Sequence, residues 1–399
     1  MPQLDPFHGV RYSSSVKPAS VTCPPYDIIS PSQQAALYER DPHNAVRLEL
    51  PKGEGVERYV AAAATFREWL ADGTLARDGE ASLYVYRQDF VADGSPRHVV
   101  GVIGALALEP FGESAGVLPH ERTMEGPKAD RLALMSSLPV NVSPIYAIYR
   151  GGGAVTDFLE SLDGRPTAMR FEDDEGILHR SWVVSAPAEI ELLARDVAAS
   201  PLVIADGHHR YETALAYASQ ADAEEAGSIM CFCVDADTAQ LVVLPYHRLL
   251  KGQGIEEALR SSGAKPIEVE PEDALGTSSA EHPFVFVTPG GAYLIELSDH
   301  DVVAAVGQRH PSWRKLDVVA LHEALLPRIL PGAEVTGFSK DKDVVLRSVV
   351  EGTADGGVLL RPLQAADVVD VARSGERMPQ KASYFWPKAV TGLVFHPLA

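Results

Sequence analysis

The apolar positions of the chain recur at both helical and strand spacing, so the pattern predicts a mixture of helices and strands. Helices are predicted at 31–38, 57–72, 155–162, 186–199, 211–218, 254–262 and in a segment that ends at 351. Strands are predicted at 44–50, 82–90, 98–108, 145–149, 182–184, 202–205, 227–235, 240–245, 284–288, 292–297 and 358–361. This alternation predicts an α/β fold with α+β elements and mixed sheets. The predicted lobes are 1–115, 116–250 and 251–399, unless the chain forms one continuous unit.

The most informative stretch joins a predicted strand to a predicted helix. The strand Leu202–Ala205 is apolar, and the helix Tyr211–Ala218 is rich in alanine. Asp206–Gly207 interrupts the apolar run, so Gly207–Arg210 is predicted to form the turn. The N–H groups at such a helix start have no helical partner and carry partial positive charge, which suits a phosphate or a carboxylate.

The side chains of this turn are candidates to bind or transfer a charged group. Arg210 presents a planar set of donors for an anion, and His208 and His209 can change charge near neutral pH. Asp206 and Glu212 are candidates to hold a cation or to accept a proton. The alternative is structural, in which the aspartate caps the helix, the glycine supplies the turn and the arginine pairs with a surface glutamate.

A second group of charged residues lies farther toward the N-terminus. Six ionisable side chains fall within twelve positions, namely His120, Glu121, Arg122, Lys128, Asp130 and Arg131. Arg122, Lys128 and Arg131 are candidate phosphate clamps, and His120 or Glu121 is a candidate proton carrier or metal contact. The alternative is a solvated loop and helix face, which is the commonest place for charged side chains.

Two extended segments carry further candidate contacts. Tyr26 and Asp27 follow two prolines that stiffen the backbone, so they line the wall of a site or belong to a rigid connector. Asn141 and Ser143 precede the predicted strand at 145–149 and are candidate polar contacts. The residues alone leave both alternatives open.

The C-terminal segment interleaves basic and aromatic residues. Arg377 and Lys381 are candidate phosphate contacts, whereas the aromatic run 384–386 is predicted to pack in the core. A nucleotide base stacked on one of these rings is the alternative. His247 and Arg248 follow another predicted strand, at a kind of position where ligands of sheets often bind.

The run from Ala205 to Leu215, which contains Asp-Gly-His-His-Arg, resembles the signature of the bacterial and archaeal domain-of-unknown-function 1015 family. Three other segments are similar to that family's pattern, at 24–30, 120–146 and 378–395. Together they extend over nearly the whole chain. The resemblance implies kinship and names no activity.

The same turn also resembles the Gly-x-x-Arg phosphate-binding turn of the ParB/sulfiredoxin-like superfamily. Members of that superfamily bind nucleotides at this turn, and they include partition CTPases and a free serine kinase. The resemblance implies a ParB/sulfiredoxin-like core with additional α/β lobes. It also implies that Gly207–Arg210 binds a phosphate group.

Composition and charge limit which partners and which cellular compartment we expect for the protein. With 35 basic and 55 acidic residues the formal charge is −20, and such a field repels nucleic acid. Cys231 and Cys233 share one face of a predicted strand. They are either buried structural thiols or two of the ligands of a metal site. The low cysteine count favours a reducing compartment. Because the sequence shows no leader and no apolar run of membrane-spanning length, we expect a cytoplasmic protein without a membrane partner.

These groups and the resemblance together predict a small-molecule phosphotransferase that uses Mg²⁺ and ATP or ADP. The leading hypothesis is a nucleotide-dependent kinase of free serine or a similar hydroxylated metabolite. In this hypothesis Glu121 or Asp206 accepts the proton, and the turn binds phosphates. Lys128, Arg131 and Lys381 neutralise the developing charge.

Two alternatives use the same groups differently. One is a phosphatase that acts on phosphoserine or a related phosphomonoester, with His208 or His209 as nucleophile or acid. The other is a nucleotide-binding switch module without a metabolic substrate. The partners predicted in all cases are a nucleotide and a small phosphorylated or hydroxylated metabolite, and a homo-oligomer is compatible with the sequence.

Overall fold

The computed structural model describes residues 1–112, 116–123, 125–237 and 240–399. Its strands are β1 (Leu4–Asp5), β2 (Val10–Tyr12), β3 (Leu75–Arg77), β4 (Leu83–Ala92), β5 (Ser95–Ala107), β6 (Val117–Pro119), β7 (Val140–Asn141), β8 (Ile145–Tyr149), β9 (Met169–Glu172), β10 (Leu178–Val184), β11 (Leu202–Asp206), β12 (Ser228–Asp235), β13 (Val242–Leu244), β14 (His247–Lys251), β15 (Lys265–Ile267), β16 (His282–Thr288), β17 (Gly291–Leu297), β18 (Glu334–Ser339), β19 (Gly356–Leu359), β20 (Tyr384–Trp386) and β21 (His396–Pro397). Its α-helices are α1 (Pro18–Val21), α2 (Pro31–Arg40), α3 (Val46–Glu49), α4 (Glu57–Ala71), α5 (Glu125–Ser137), α6 (Thr156–Ser161), α7 (Pro187–Val197), α8 (His208–Ala218), α9 (Ile255–Ser261), α10 (Pro271–Thr277), α11 (Asp299–Val306), α12 (Pro311–Arg314), α13 (Asp317–Val319), α14 (Leu326–Ile329), α15 (Lys342–Val350) and α16 (Ala365–Arg373). None of the described helices is long and apolar enough to cross a membrane.

Contacts between residues divide the chain into two compact units. The first unit comprises Met1–Pro119, Thr123–Leu241 and Pro387–Ala399. The second comprises His120–Arg122 and Val242–Trp386. The predicted lobe boundary at residue 115 lies outside the described residues.

In the first unit, nine of the described strands form one mixed sheet. The order is β6-β11-β8-β12-β5-β4-β10-β9, and β1 pairs with β5. β11 runs parallel to β6 and antiparallel to β8, whereas β12 runs parallel to β8. The predicted hairpin joins β4 and β5 in antiparallel register. The mixed pairing confirms the predicted α/β class with mixed sheets.

The core of the first unit positions the turn between β11 and α8. Leu202 and Ile204 alternate along β11 and point into a buried cluster, which Tyr211 and Ala214 of α8 also enter. Because the strand and the helix bury apolar side chains in the same cluster, the turn between them is held at both ends. All four side chains are at most 1% exposed.

In the second unit, six of the described strands form an antiparallel sheet in the order β15-β17-β16-β19-β14-β18. Phe284 and Phe286 of β16 pack in one buried cluster, and Val285 and Val287 pack in another. Successive residues of a strand point to opposite faces. Both faces of this sheet are therefore covered.

The strand predicted at 44–50 is wrong, because this stretch contains the short helix α3. The side chain of Asn44 accepts a hydrogen bond from the backbone N–H of Val46 at 3.0 Å. An asparagine that bonds the backbone two residues ahead favours a turn over a strand. The alternation of apolar and charged residues arises instead from a helix with one buried face.

Two predicted boundaries also move. α8 begins at His208, so His208–Arg210 form its first turn and Gly207 is the N-cap residue. His247 and Arg248 follow the end of β13, as predicted, but they also begin the next strand, β14. Both shifts place side chains on regular elements, where their directions are fixed by the backbone.

His396 is a buried histidine of the first unit whose charge state affects stability. Its Nε2 lies 3.0 Å from the hydroxyl of Ser228, and its ring centroid lies 4.4 Å from that of Phe7. Burial lowers the pKa of His396 to about 4 from the ordinary 6.5. The folded protein therefore holds this ring neutral where an unfolded chain protonates it.

We predict that this histidine makes the protein less stable as the pH falls. The stability that the neutral ring contributes is fully present above the unfolded pKa near 6.5. It decreases as the pH falls toward the folded pKa of about 4, since in this range only the unfolded chain gains the proton. Between pH 7 and pH 5 the loss should be about 2 kcal/mol. In urea unfolding at the two pH values, His396→Gln should show a smaller loss than the wild type. The exposed His8→Gln is the control, and equal losses in all three proteins would contradict the prediction.

Candidate functional site

The candidate site is built on the turn between β11 and α8. Gly207 caps the helix with a φ of +94°, in the left-handed region. A Cβ atom at this position would lie 2.8 Å from Cγ2 of Ile145 and 3.1 Å from Nε of Arg210. Glycine is therefore required both by the backbone conformation and by the close packing. The N–H groups in the first turn of a helix have no partner within the helix itself and give this turn a partial positive charge.

Arg210 lies in the first turn of α8 and is 8% exposed. Its Nη1 donates to the hydroxyl of Ser143 at 2.9 Å and to the carbonyl of Pro144 at 2.6 Å, and its Nη2 donates to Oδ2 of Asp206 at 2.6 Å. Its Nε is buried and has no hydrogen-bond partner among the described residues. Burial lowers the pKa of the guanidinium, but the carboxylates around it, Asp206 first, raise that pKa above its usual value.

Asp206 is shared by two cations. Oδ2 accepts from Arg210, and Oδ1 forms an ion pair with the ammonium of Lys388, which is itself buried. The N-cap position of α8 is occupied by Gly207 and not by Asp206. Two further carboxylates, those of Glu49 and Asp27, also act on the Arg210 guanidinium.

Glu49 is a buried carboxylate connected to Arg210 through one hydroxyl. Its Oε1 accepts from the hydroxyl of Ser143 at 3.0 Å and from the backbone N–H of Tyr26 at 3.1 Å. Burial raises the pKa of the Tyr26 phenol to about 12, with Arg210 acting in the opposite direction and Asp27 in the same one. Residues from the 26–27 and 44–50 segments thus lie beside the turn.

Arg131 holds this part of the site in place. Its guanidinium carbon lies 4.2 Å from the centroid of the Tyr26 ring, and its Nη1 donates to the carbonyl of Glu49 at 2.7 Å. Its Nε donates to Asp130 at 2.8 Å, and Asp130 also pairs with Arg58 at 2.6 Å. Because these bonds occupy the guanidinium, Arg131 positions the tyrosine and the glutamate.

A cavity of about 40 Å³ lies among these groups. Its polar lining consists of Glu49, Arg131, Asn141, Ser143, Arg210 and Thr213. The volume is enough for about one water molecule. The buried face of the site is therefore a small polar chamber next to Arg210.

Other predicted residues of the first unit lie in neighbouring contacts. His208 is buried in the first turn of α8, and His209 is half-buried. Lys128 of α5 forms an ion pair with Glu212 of α8 at 3.1 Å, and the hydroxyl of Thr123 donates to the same carboxylate at 2.7 Å. The ion pair joins α5 to α8, and the hydroxyl gives the Glu212 carboxylate a second contact.

Asn141 has a structural partner. Its Oδ1 accepts the backbone N–H of Met230 at 2.7 Å, and its backbone pairs with His396. Asn141 also lines the small cavity. Its amide therefore connects β7 to β12 at the edge of the candidate site.

Five predicted site residues belong to the second unit, namely His120, Glu121, Arg122, Arg377 and Lys381. His120 is fully buried, and its Nε2 lies 3.0 Å from the hydroxyl of Ser383. Glu121 pairs through its backbone with Met378, and Arg122 is exposed. The carbonyl of Arg377 accepts from the indole of Trp313 at 3.0 Å. Whether these residues share a site with Arg210 stays a prediction.

Glu49 and Lys388 were not among the predicted site residues. Glu49 lies in the stretch whose pattern indicated a strand, and its approach to Tyr26 and Ser143 follows from the tertiary fold. Lys388 was part of the basic and aromatic C-terminal segment, so its charge was visible in the sequence. Its pairing with Asp206 spans 182 positions and has no local signal.

Among the described residues, no group of three or more His, Cys, Asp or Glu side chains is arranged to hold a metal ion. The thiols of Cys231 and Cys233 lie on one face of β12, with 3.5 Å between the sulfur atoms, and both are fully buried. The two thiols therefore lie on the same face of the strand, as predicted.

Comparison with solved structures finds three distant similarities. A free serine kinase in complex with AMP aligns with a TM-score of 0.35 and 14% identity, over 68% of this chain and 83% of that chain. A conserved hypothetical protein from Pyrococcus furiosus aligns with a TM-score of 0.37 and 13% identity, over 69% and 89%. A C-terminally truncated SbnI from Staphylococcus aureus aligns with a TM-score of 0.36 and 12% identity, over 74% and 87%. Similarity at this level does not establish a shared activity.

Comparison at the level of sequence gives a firmer result. A search of curated proteins finds no match. The sequence pattern of a family described as protein of unknown function (DUF1015) matches residues 4–319. Since this match spans more than half of the chain and includes the turn between β11 and α8, the protein belongs to the DUF1015 family.

Proposed function

We propose that the protein is a nucleotide-dependent small-molecule phosphotransferase, with free serine or a similar hydroxylated metabolite as its acceptor. The observation that carries the proposal is that two cations meet at the turn. Arg210 and Lys388 both pair with the carboxylate of Asp206 beside the N-terminus of α8. Two cations beside the first turn of a helix suit a phosphate.

In this proposal the turn and Lys388 bind the phosphates of the nucleotide. Lys388 supplies a point charge, and Arg210 keeps the turn rigid through its bonds to Ser143 and Pro144. Glycine at position 207 allows close approach of the backbone. The phosphate would meet groups that are already oriented, which lowers the cost of reorganisation during transfer.

We further propose Glu49 as the group that accepts the proton of the acceptor hydroxyl. Both carboxylate oxygens of Asp206 already pair with cations, Oδ2 with Arg210 and Oδ1 with Lys388. Glu49 is a buried carboxylate that receives hydrogen bonds from a hydroxyl and a backbone N–H and from no ammonium or guanidinium among the described residues. The hydroxyl oxygen would attack the terminal phosphorus, the bond to the nucleotide would break, and the proton would pass to Glu49.

The cofactors of the proposal are Mg²⁺ and ATP or ADP. Magnesium commonly binds one or two carboxylates together with substrate phosphates, so it does not require a complete protein cage. Asp27 is an exposed carboxylate near Arg210 and Tyr26 and is the candidate protein ligand. When bound, the metal would neutralise charge on the phosphates.

The first test is a phosphoryl-transfer screen on the full chain with Mg²⁺. ATP, ADP and CTP are offered with serine and a panel of hydroxylated metabolites, and phosphoserine is offered alone. Product that depends on an acceptor supports the kinase. Phosphate released from phosphoserine alone would support the phosphatase instead, although the burial of His208 in α8 disfavours that residue as an open nucleophile. Nucleotide binding without any transfer would leave the switch module.

We predict that Lys388→Gln lowers kcat/KM for phosphoryl transfer about 10- to 100-fold, because one charge-assisted contact to the phosphate is lost. The effect is measured by initial rates over a range of nucleotide concentrations. Arg195→Gln, on the exposed face of α7, is the control for removal of a positive charge. Equal activity of both variants would exclude Lys388 from phosphate binding. Melting temperatures show whether either variant is unfolded.

Glu49→Gln tests the proposed base. Glutamine keeps an oxygen acceptor for Ser143 and Tyr26, so the fold should be preserved while proton acceptance is lost. We expect kcat to fall by about 10² to 10⁴, with little change in nucleotide KM. Glu191→Gln on α7 is the matched surface control, and an unchanged kcat in Glu49→Gln would remove Glu49 from this role.

Gly207→Ala tests the geometry of the turn. The added methyl group combines an unfavourable φ with contacts to Ile145 and Arg210, and such strain costs about 1 to 3 kcal/mol. Gly176→Ala has a similar φ of +77° with no atom within 4 Å of the added carbon. It therefore measures the cost of the backbone conformation without the cost of close packing. We expect Gly207→Ala to lose more unfolding free energy than Gly176→Ala and to raise the nucleotide KM. Equal losses would show that the close packing is unimportant.

A further inference from the structure

The second unit contains an arginine that is fully buried. Arg248 lies in β14 and donates from Nε to His322 Nε2 at 2.9 Å. Its Nη1 donates to the carbonyl of Tyr246 at 2.5 Å, and its Nη2 donates to the carbonyl of Lys381 at 3.1 Å. The guanidinium thereby connects β14, the π-helical turn Ala320–Leu325 and the segment before β20.

The acceptors of these three bonds are neutral. Burial, assisted by Arg248, lowers the pKa of His322 to about 4, so its ring accepts as the uncharged imidazole. Burial also lowers the pKa of Arg248 to about 10, and the nearby Glu121 and Tyr246 act in the opposite direction. The positive charge of Arg248 is therefore only partly compensated by the groups around it. Burying such a charge costs free energy.

Two lysines and two tyrosines form a patch that this arginine organises, which we name the Lys381 patch. Nζ of Lys381 lies 5.3 Å from the centroid of the Tyr246 ring, and Nζ of Lys340 lies 5.1 Å from that of Tyr384. The two rings meet edge to face with centroids 5.4 Å apart. Both lysines are half-buried and reach solvent.

The backbone of Lys381 is held in an unusual conformation. Its φ is +53°, in the left-handed region that non-glycine residues seldom occupy. The hydrogen bond from Arg248 to its carbonyl helps to maintain this geometry. Among the described residues, the ammonium of Lys381 contacts the Tyr246 ring and no carboxylate at ion-pair distance. The strained backbone thus presents an ammonium whose charge no acidic side chain of the described chain neutralises.

We propose that the Lys381 patch binds the phosphate group of a small molecule, as an anion site built from residues of the second unit. Lys381 and Lys340 supply the charges, Tyr246 and Tyr384 support them, and Arg248 is the positioning residue beneath. Half-buried ammonium groups over aromatic rings attract an anion more strongly than solvated surface lysines, because fewer water molecules compete. The proposal is independent of phosphoryl transfer at the turn of the first unit.

Residue-resolved lysine reactivity tests the site in the full chain. An amine-reactive reagent labels the lysines with and without inorganic pyrophosphate, at equal ionic strength set with NaCl, and mass spectrometry of peptides gives the rate at each position. Pyrophosphate should slow labelling of Lys381 and Lys340 severalfold. It should leave Lys265, an exposed lysine of the same unit, unchanged. If pyrophosphate leaves the labelling rate unchanged at each of the three lysines, the proposal is overturned.

Two substitutions at one position separate charge from structure. Lys381→Gly removes the ammonium and suits a positive φ, so its melting temperature should be at least that of the wild type. Lys381→Arg keeps the charge. Protection of Lys340 should require about tenfold more pyrophosphate in Lys381→Gly, as expected for the loss of one charge-assisted contact, and should be nearly unchanged in Lys381→Arg.

This readout also distinguishes the two proposed anion sites. Lys388→Gln removes the phosphate contact of the first unit and should not alter the protection of Lys340. Unchanged protection of Lys340 in Lys381→Gly would show that pyrophosphate acts elsewhere and would reject the patch. Failure of the phosphoryl-transfer screen would leave the result at Lys381 valid.

Discussion

The ion pairs that join Asp206 to Arg210 and Lys388 are the interaction on which the first unit's candidate site depends. They connect the end of β11, the first turn of α8 and the C-terminal segment of the chain. All three groups are mostly removed from water, so each charge is tolerable only while its partners are present. The pairing therefore fixes where the helix starts relative to the sheet.

A second set of bonds extends this arrangement toward the N-terminus. The hydroxyl of Ser143 donates to Glu49 and accepts from Arg210, so a buried carboxylate and a buried guanidinium are linked through one oxygen. Arg131 stacks on Tyr26 and bonds the carbonyl of Glu49. These groups are already oriented before any ligand binds, a property that favours the stabilisation of charge developing during a reaction. The arrangement supports a role in phosphate chemistry more strongly than any one of its residues does.

The second unit uses a buried arginine in a different way. Arg210 is balanced by a directly bonded carboxylate, whereas the bonds of Arg248 go to a neutral imidazole and two carbonyls. The field of Arg248 is consequently less compensated, and the backbone it holds at Lys381 places a further cation at the surface. Both units thus contain a rigid, buried arginine. Ion pairing compensates the charge of Arg210, whereas the charge of Arg248 is affected mainly by its removal from water.

The strand, the turn glycine and the helix within 202–218 were predictable from the sequence, because apolar runs and a turn-forming glycine are local signals. Arg210 was also identified as the central cation of that turn. Glu49 and Lys388 reach the turn through long-range packing, and contacts between residues far apart in the chain leave no periodic trace in the sequence. The same limit applies to 44–50, where the alternating pattern indicated a strand and the side chain of one asparagine stabilised a helical turn instead. Local patterns specify which elements form, and the packing of those elements decides which charged groups meet.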